Sequence, residues 1–112
     1  MKNAVTTASF KVAVGVNAGV LITTGASNTM VGTYALDANT TGGENVAIGK
    51  NALGANTSAS TNVAIGSGAM LVNTTGASNV AVGANALDAN TTASNNVAVG
   101  KDALTANTTG TD

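Results

Sequence analysis

The chain has 112 residues, a formal net charge of −1 and no His, Cys, Pro or Trp, and its four basic residues are all Lys. Ala, Thr, Asn and Gly together fill 69 positions, while charged residues make up 8%. This excludes thiolate and imidazole catalysis, zinc sites built from the usual ligands, and a basic nucleic-acid footprint. No run of about 18 apolar residues is present to insert into a membrane.

At the N-terminus, Lys2 followed by the apolar stretch Val12 to Ile22 has the outline of a signal peptide. Register points elsewhere. Ala4, Thr6, Thr7, Ala8 and Ser9 fall in columns that later repeats fill with Ala/Val, Thr, Thr/Ser, Gly/Ala and Ala/Ser. Residues 1–10 are therefore expected to be the partial tail of an earlier coil, and the chain to be a fragment of a longer array. Residues 11–112 then form one array of six 17-residue repeats.

Each repeat is anchored by a glycine: Gly15, Gly32, Gly49, Gly66, Gly83 and Gly100. Just before the glycine stands a β-branched residue, Val14, Val31, Ile48, Ile65, Val82 or Val99, and three before it Val or, once, Thr29. Asn28, Asn45, Asn62, Asn79 and Asn96 open repeats two to six, where the first repeat has Lys11. Three after the glycine is always Ala, followed by Leu or Met except at Gly19. Asn39, Asn56, Asn73, Asn90 and Asn107 then lead into Thr-Thr or Thr-Ser.

Apolar residues two apart, as in Asn-Val-Ala-Ile-Gly, lie on one face of a strand rather than along a helix. Leu four after the glycine and Ala or Val six after it repeat that alternation, so each copy predicts two strands of about five residues joined by turns. Glycine supplies the positive φ that such turns need. Two short strands cannot fold alone. Stacking each on its equivalent in the next copy gives an all-β, parallel β-solenoid with a rise of about 4.8 Å per coil. Val/Ile and Leu ladders are expected inside, with Asn amide ladders at the corners. The Ala columns three after and two before the glycine are expected on the opposite face, where small side chains admit a neighbouring copy. Closed symmetric assembly is the usual form of such association.

Asn-Val-Ala-Ile-Gly, whole at Asn45–Gly49 and Asn62–Gly66, resembles the head repeats of trimeric autotransporter adhesins. With its Ala-Leu and Asn-Thr-Thr-Gly parts the unit looks still more like repeats of bacteriophage tail fibres. The likeness covers essentially the whole chain. It implies a left-handed β-roll, a homotrimer, an extracellular place on a virion or bacterial cell surface, and attachment to a host-surface receptor or glycan, or the spacing of a distal tip. The repeat is longer than the usual adhesin-head unit, which implies a longer outer loop.

Other candidate sites have plainer readings. The column Thr40, Thr57, Thr74, Thr91 and Thr108, preceded by Thr23, forms a candidate exposed hydroxyl ladder of the kind a monomeric ice-binding solenoid uses. Adjacent Thr-Thr pairs point to opposite faces, however, which favours a corner where hydroxyls satisfy turn amides. The five Asn-x-Thr/Ser steps beginning at Asn39 recur with the repeat and read as structural rather than as glycosylation acceptors. Asp37 and Asp88 share a column without the converging carboxylates that calcium requires. Gly66-Ser67-Gly68 has no following helix to make a phosphate cradle. No catalytic, metal or cofactor residues are assigned, and no enzyme activity is expected.

Overall fold

A computed structural model describes residues 9–112. Six strands run in chain order: β1 (Val12–Val14), β2 (Thr29–Val31), β3 (Val46–Ile48), β4 (Val63–Ile65), β5 (Val80–Val82) and β6 (Val97–Val99). Each pairs in parallel with the next to form a single sheet ordered β1 to β6. Register is one repeat throughout, so Val46 lies on Val63 and Ile48 on Ile65. The chain is a parallel β-solenoid measuring 36 × 20 × 16 Å.

Each coil holds one strand of three residues, not two of five. The segment after the glycine is a run of tight turns. Leu36, Leu53, Met70, Leu87 and Leu104 have φ between 49 and 55°, a left-handed conformation costing an L-residue about 1–2 kcal/mol. All but Leu104 are fully buried, and burial of such a side chain contributes about 1.5–3 kcal/mol, which offsets the strain. Two residues earlier stand Asn17, Tyr34, Asn51, Gly68, Asn85 and Asp102, also left-handed. Mostly Asn, Asp and Gly, they are the types that tolerate that region best. Two left-handed residues in three turn the chain too sharply for a second strand.

The Leu column lies inside as expected, but the strand is inverted. Ala47, Ala64 and Ala81, the middle residues of their strands, are 0% exposed and pack with the Leu column and with Ala52, Ala69 and Ala86. The β-branched residues on either side point out of the coil. The reason is width. A coil whose opposite wall already contributes Leu and two Asn side chains has room for a methyl group in the middle of the strand and nothing larger. The first two coils test this. Met30 takes the Ala position and is fully buried, while Gly19 takes the neighbouring Leu position, and a Cβ on Gly19 would overlap the Met30 sulfur. The large residue and the small one are a single packing event.

Two amide columns complete the core. Asn28, Asn45, Asn62 and Asn79 are fully buried, and each Oδ1 accepts the backbone N–H of the Asn one coil on, at 2.9 Å. The second column bonds side chain to side chain: Asn56 donates to Asn39 at 2.9 Å and Asn90 to Asn73 at 2.8 Å. Both columns also converge on one carbonyl per coil. Gly76 O accepts Asn62 Nδ2 at 2.8 Å and Asn73 Nδ2 at 2.9 Å. Among the described residues no buried side-chain nitrogen or oxygen lacks a partner. From Gly15 to Gly83 the glycine anchors stack without room for a side chain: a Cβ on Gly66, at φ +135°, would lie 2.5 Å from the Gly83 carbonyl carbon.

Candidate functional surface

The inverted strand turns its β-branched residues into a surface. Val12 and Val14, Thr29 and Val31, Val46 and Ile48, Val63 and Ile65, Val80 and Val82, Val97 and Val99 occupy the two outward columns of the sheet. Ile48 and Ile65 are each 37% exposed in the middle of the array, and Val97 and Val99 more so at its C-terminal end. Parallel pairing in register puts like beside like along the whole sheet. The face carries no charge and one hydroxyl. Val14, Val31, Ile48, Ile65, Val82 and Val99, which mark each repeat and are expected from the sequence to form an inner ladder, belong to this outward face instead. Gly15, Gly32, Gly49, Gly66, Gly83 and Gly100 form the close-packed edge beside it.

The Thr columns lie at a corner. Thr40 and Thr74 donate their hydroxyls to the backbone carbonyls of Thr57 and Thr91, each at 3.1 Å. Thr57 and Thr91 make the same bond, at 3.4 and 3.5 Å, to Thr74 and Thr108. Those hydroxyls are tied to the next coil. Thr24, Thr41, Ser58, Thr75, Thr92 and Thr109, one residue on, form an exposed single file.

Four of the five Asn-x-Thr/Ser steps are closed to a glycosyl transferase in the folded chain, while Asn107 in the last coil is half-buried. Asn39, Asn56, Asn73 and Asn90 are 0% exposed, and each Nδ2 is committed to the ladder or its carbonyl column. Asp37 and Asp88 stand three coils apart on an outer flank. Partial burial pushes the Asp37 carboxyl above its ordinary value, against two backbone N–H bonds that lower it. No group of three or more His, Cys, Asp or Glu side chains among the described residues converges as a metal site would. The signal for the apolar face was in the sequence, as the strict alternation Val-Ala-Ile, but alternation alone does not say which set faces in.

Compared with protein-family models, with curated proteins and with solved structures, the chain matches none.

Proposed function

We propose that the chain is a structural repeat module of a trimeric, extracellular surface fibre or adhesin head, of left-handed roll form, that attaches or spaces a distal tip on a virion or bacterial cell. The observation that carries this is the uncharged β-branched face running the length of the sheet. A rod with such a face is stabilised by companions of the same length. Copies of itself are the partners whose periodicity matches by construction. The resemblance of Asn45–Gly49 and Asn62–Gly66 to adhesin-head and tail-fibre repeats supports a threefold arrangement. Work in this setting is mechanical: hydrogen-bonded coils resist unravelling, and three copies present each outer loop three times, which multiplies a weak receptor contact by avidity.

Sedimentation equilibrium tests the reading. A mass three times 10.6 kDa is expected, and a mass of 10.6 kDa at micromolar concentration overturns it. The rival reading, a monomeric ice-binding solenoid, is left with the single exposed file at Thr75 and Thr92. It requires thermal hysteresis that Thr92→Tyr abolishes.

A further inference from the structure

The coils are not equivalent on their outside. Five and six residues after each glycine stand Val20-Leu21, Asp37-Ala38, Gly54-Ala55, Leu71-Val72, Asp88-Ala89 and Thr105-Ala106. The order is bulky, acidic, small, and then the same again: a three-coil period laid over the 17-residue one. Leu21, Leu71 and Val72 are exposed knobs at 56, 37 and 38%. Gly54 is a notch between them: a Cβ there would lie 3.6 Å from the side chains of Asp37 and Leu71 and 3.3 Å from the Asn51 carbonyl oxygen. One residue after each glycine, beside the apolar strand face, the sequence runs Val16, Thr33, Lys50, Ser67, Ala84, Lys101, with Lys recurring at the same three-coil interval. Lys50 and Lys101 are exposed, and Lys101 makes only a loose 3.7 Å contact with Asp102.

We propose that copies of this chain pack side by side at equal height through two unlike flanks. The strand face of one lies against the Leu71–Val72 flank of the next, and Lys50 and Lys101 of one copy pair with Asp37 and Asp88 of its neighbour. This rests on the self-association argued above and adds what sets its register. Lys50 follows Asp37, and Lys101 follows Asp88, by less than one coil, so each pair is separated along the axis by less than about 4.8 Å. A flexible lysine stem spans that gap, and one arrangement satisfies both pairs without stagger. An interface between unlike flanks closes into a ring when its rotation permits. The three-coil period has a physical task here. Identical coils slide past one another by one repeat with little loss, as weakly specified strands do. Lys50 stands between the heights of Asp37 and Gly54, and Lys101 between those of Asp88 and Thr105. Lowering the neighbour by one coil therefore takes both carboxylates out of reach, whereas raising it by one coil keeps the pairs but opens the ring. Equal height keeps the pairs and closes it. Complementary charge fixes register in this way even where it adds little affinity.

The chain has no cysteine, so engineered thiols report the contact directly. The variant Asp37→Cys with Lys50→Cys, oxidised by air or a mild thiol oxidant, is expected to give covalent dimers and trimers on a denaturing gel. The control Val20→Cys with Lys50→Cys, whose sites stand nearly two coils apart in height, is expected to give at least about tenfold less. Bonds formed only within one chain, or equal cross-linking by the control, overturn the proposal. Charge reversal gives an independent arm. Lys50→Glu with Lys101→Glu is expected to raise the dissociation constant on the order of tenfold or more, and adding Asp37→Lys with Asp88→Lys to restore most of it. Wild type that assembles while charge reversal changes nothing sinks the register device alone. Wild type that never assembles sinks the self-association beneath it.

Discussion

Asn28 Oδ1 accepts the backbone N–H of Asn45 at 2.9 Å, while Asn28 Nδ2 donates to the carbonyl of Gly42 at the same distance. One side chain thus ties the end of its own repeat and the start of the next to the coil's first residue. The same pair of bonds recurs at Asn45, Asn62 and Asn79, all fully buried. Replacing Asn62 by Ala leaves the Asn79 N–H buried without an acceptor, a loss of about 2–3 kcal/mol. Thr57→Val, which removes an exposed 3.4 Å bond, is expected to change stability by about 0.5 kcal/mol or less. Urea denaturation of the two variants compares them directly.

The glycine edge gives a graded outcome. Gly66→Ala forces a methyl group to within 2.5 Å of the Gly83 backbone, and backbone cannot move aside. Gly100→Ala pays only for its φ of +125°, since the nearest atom to its Cβ among the described residues is the Ala103 methyl at 4.0 Å. The strain alone costs about 1–3 kcal/mol. Gly66→Ala is therefore expected to lower the melting temperature well beyond Gly100→Ala, as circular dichroism on heating would record.

Gly19 and Met30 are expected to be coupled. Gly19→Leu restores the consensus but collides with the Met30 side chain, and overpacking costs about 1–3 kcal/mol. Met30→Ala alone leaves a void in the same place. Together the changes put the new Leu side chain into the space Met30 leaves, with Ile22 Cδ1 still 2.9 Å from the new Cβ, so the double variant should be more stable than the sum of its parts allows. A double-mutant cycle that returns a coupling near zero contradicts this packing.

Inside and outside separate by their readouts. Ala64→Leu inserts three carbons where exposure is 0%, and destabilises each chain by about 1–3 kcal/mol. Ile65→Ser, on the outward face, leaves the single chain folded but weakens assembly by on the order of tenfold. Sedimentation and denaturation of the pair show opposite patterns if the face is the contact surface.

Asp37 gives a pH dependence of unusual sign for a carboxylate. Desolvation raises its folded value above the ordinary 3.8, so folding favours the protonated form. That contribution is full below the unfolded value and is lost as pH rises through the folded one. In chains dispersed by Ile65→Ser, adding Asp37→Asn should raise the urea midpoint at neutral pH, with the gain fading near about pH 3. Were the neighbour's Lys50 to pair with Asp37 as proposed, it would pull the carboxyl the other way, and the gain should become a loss in the assembled protein.

How much of this was legible in the sequence depends on the residue. The 17-residue spacing of Gly15 to Gly100, with β-branched residues two apart before each glycine, pointed to parallel, in-register stacking, because that arrangement puts six equal strand-bearing segments too short to fold alone in equivalent environments. The Asn columns announced ladders through their regular recurrence, and the structure adds that one column bonds to backbone and the other to itself. The Leu segment misled, because Leu between small residues reads as a strand when its left-handed φ is not visible. That conformation is stabilised by burial against Ala47 or Ala64, contacts that exist only once the coils are stacked.

The amino-acid order by itself determined the period, the parallel register and the presence of two strand faces, one of Val and Ile and one of Ala. Only the tertiary structure decided which face is interior. Alternation labels two sides of a strand without ranking them, and hydrophobicity alone favours burying Ile over Ala. The ranking came from volume: Leu53, Asn56 and Asn62 and their equivalents fill a narrow coil, and the methyl of Ala64 is what fits between them.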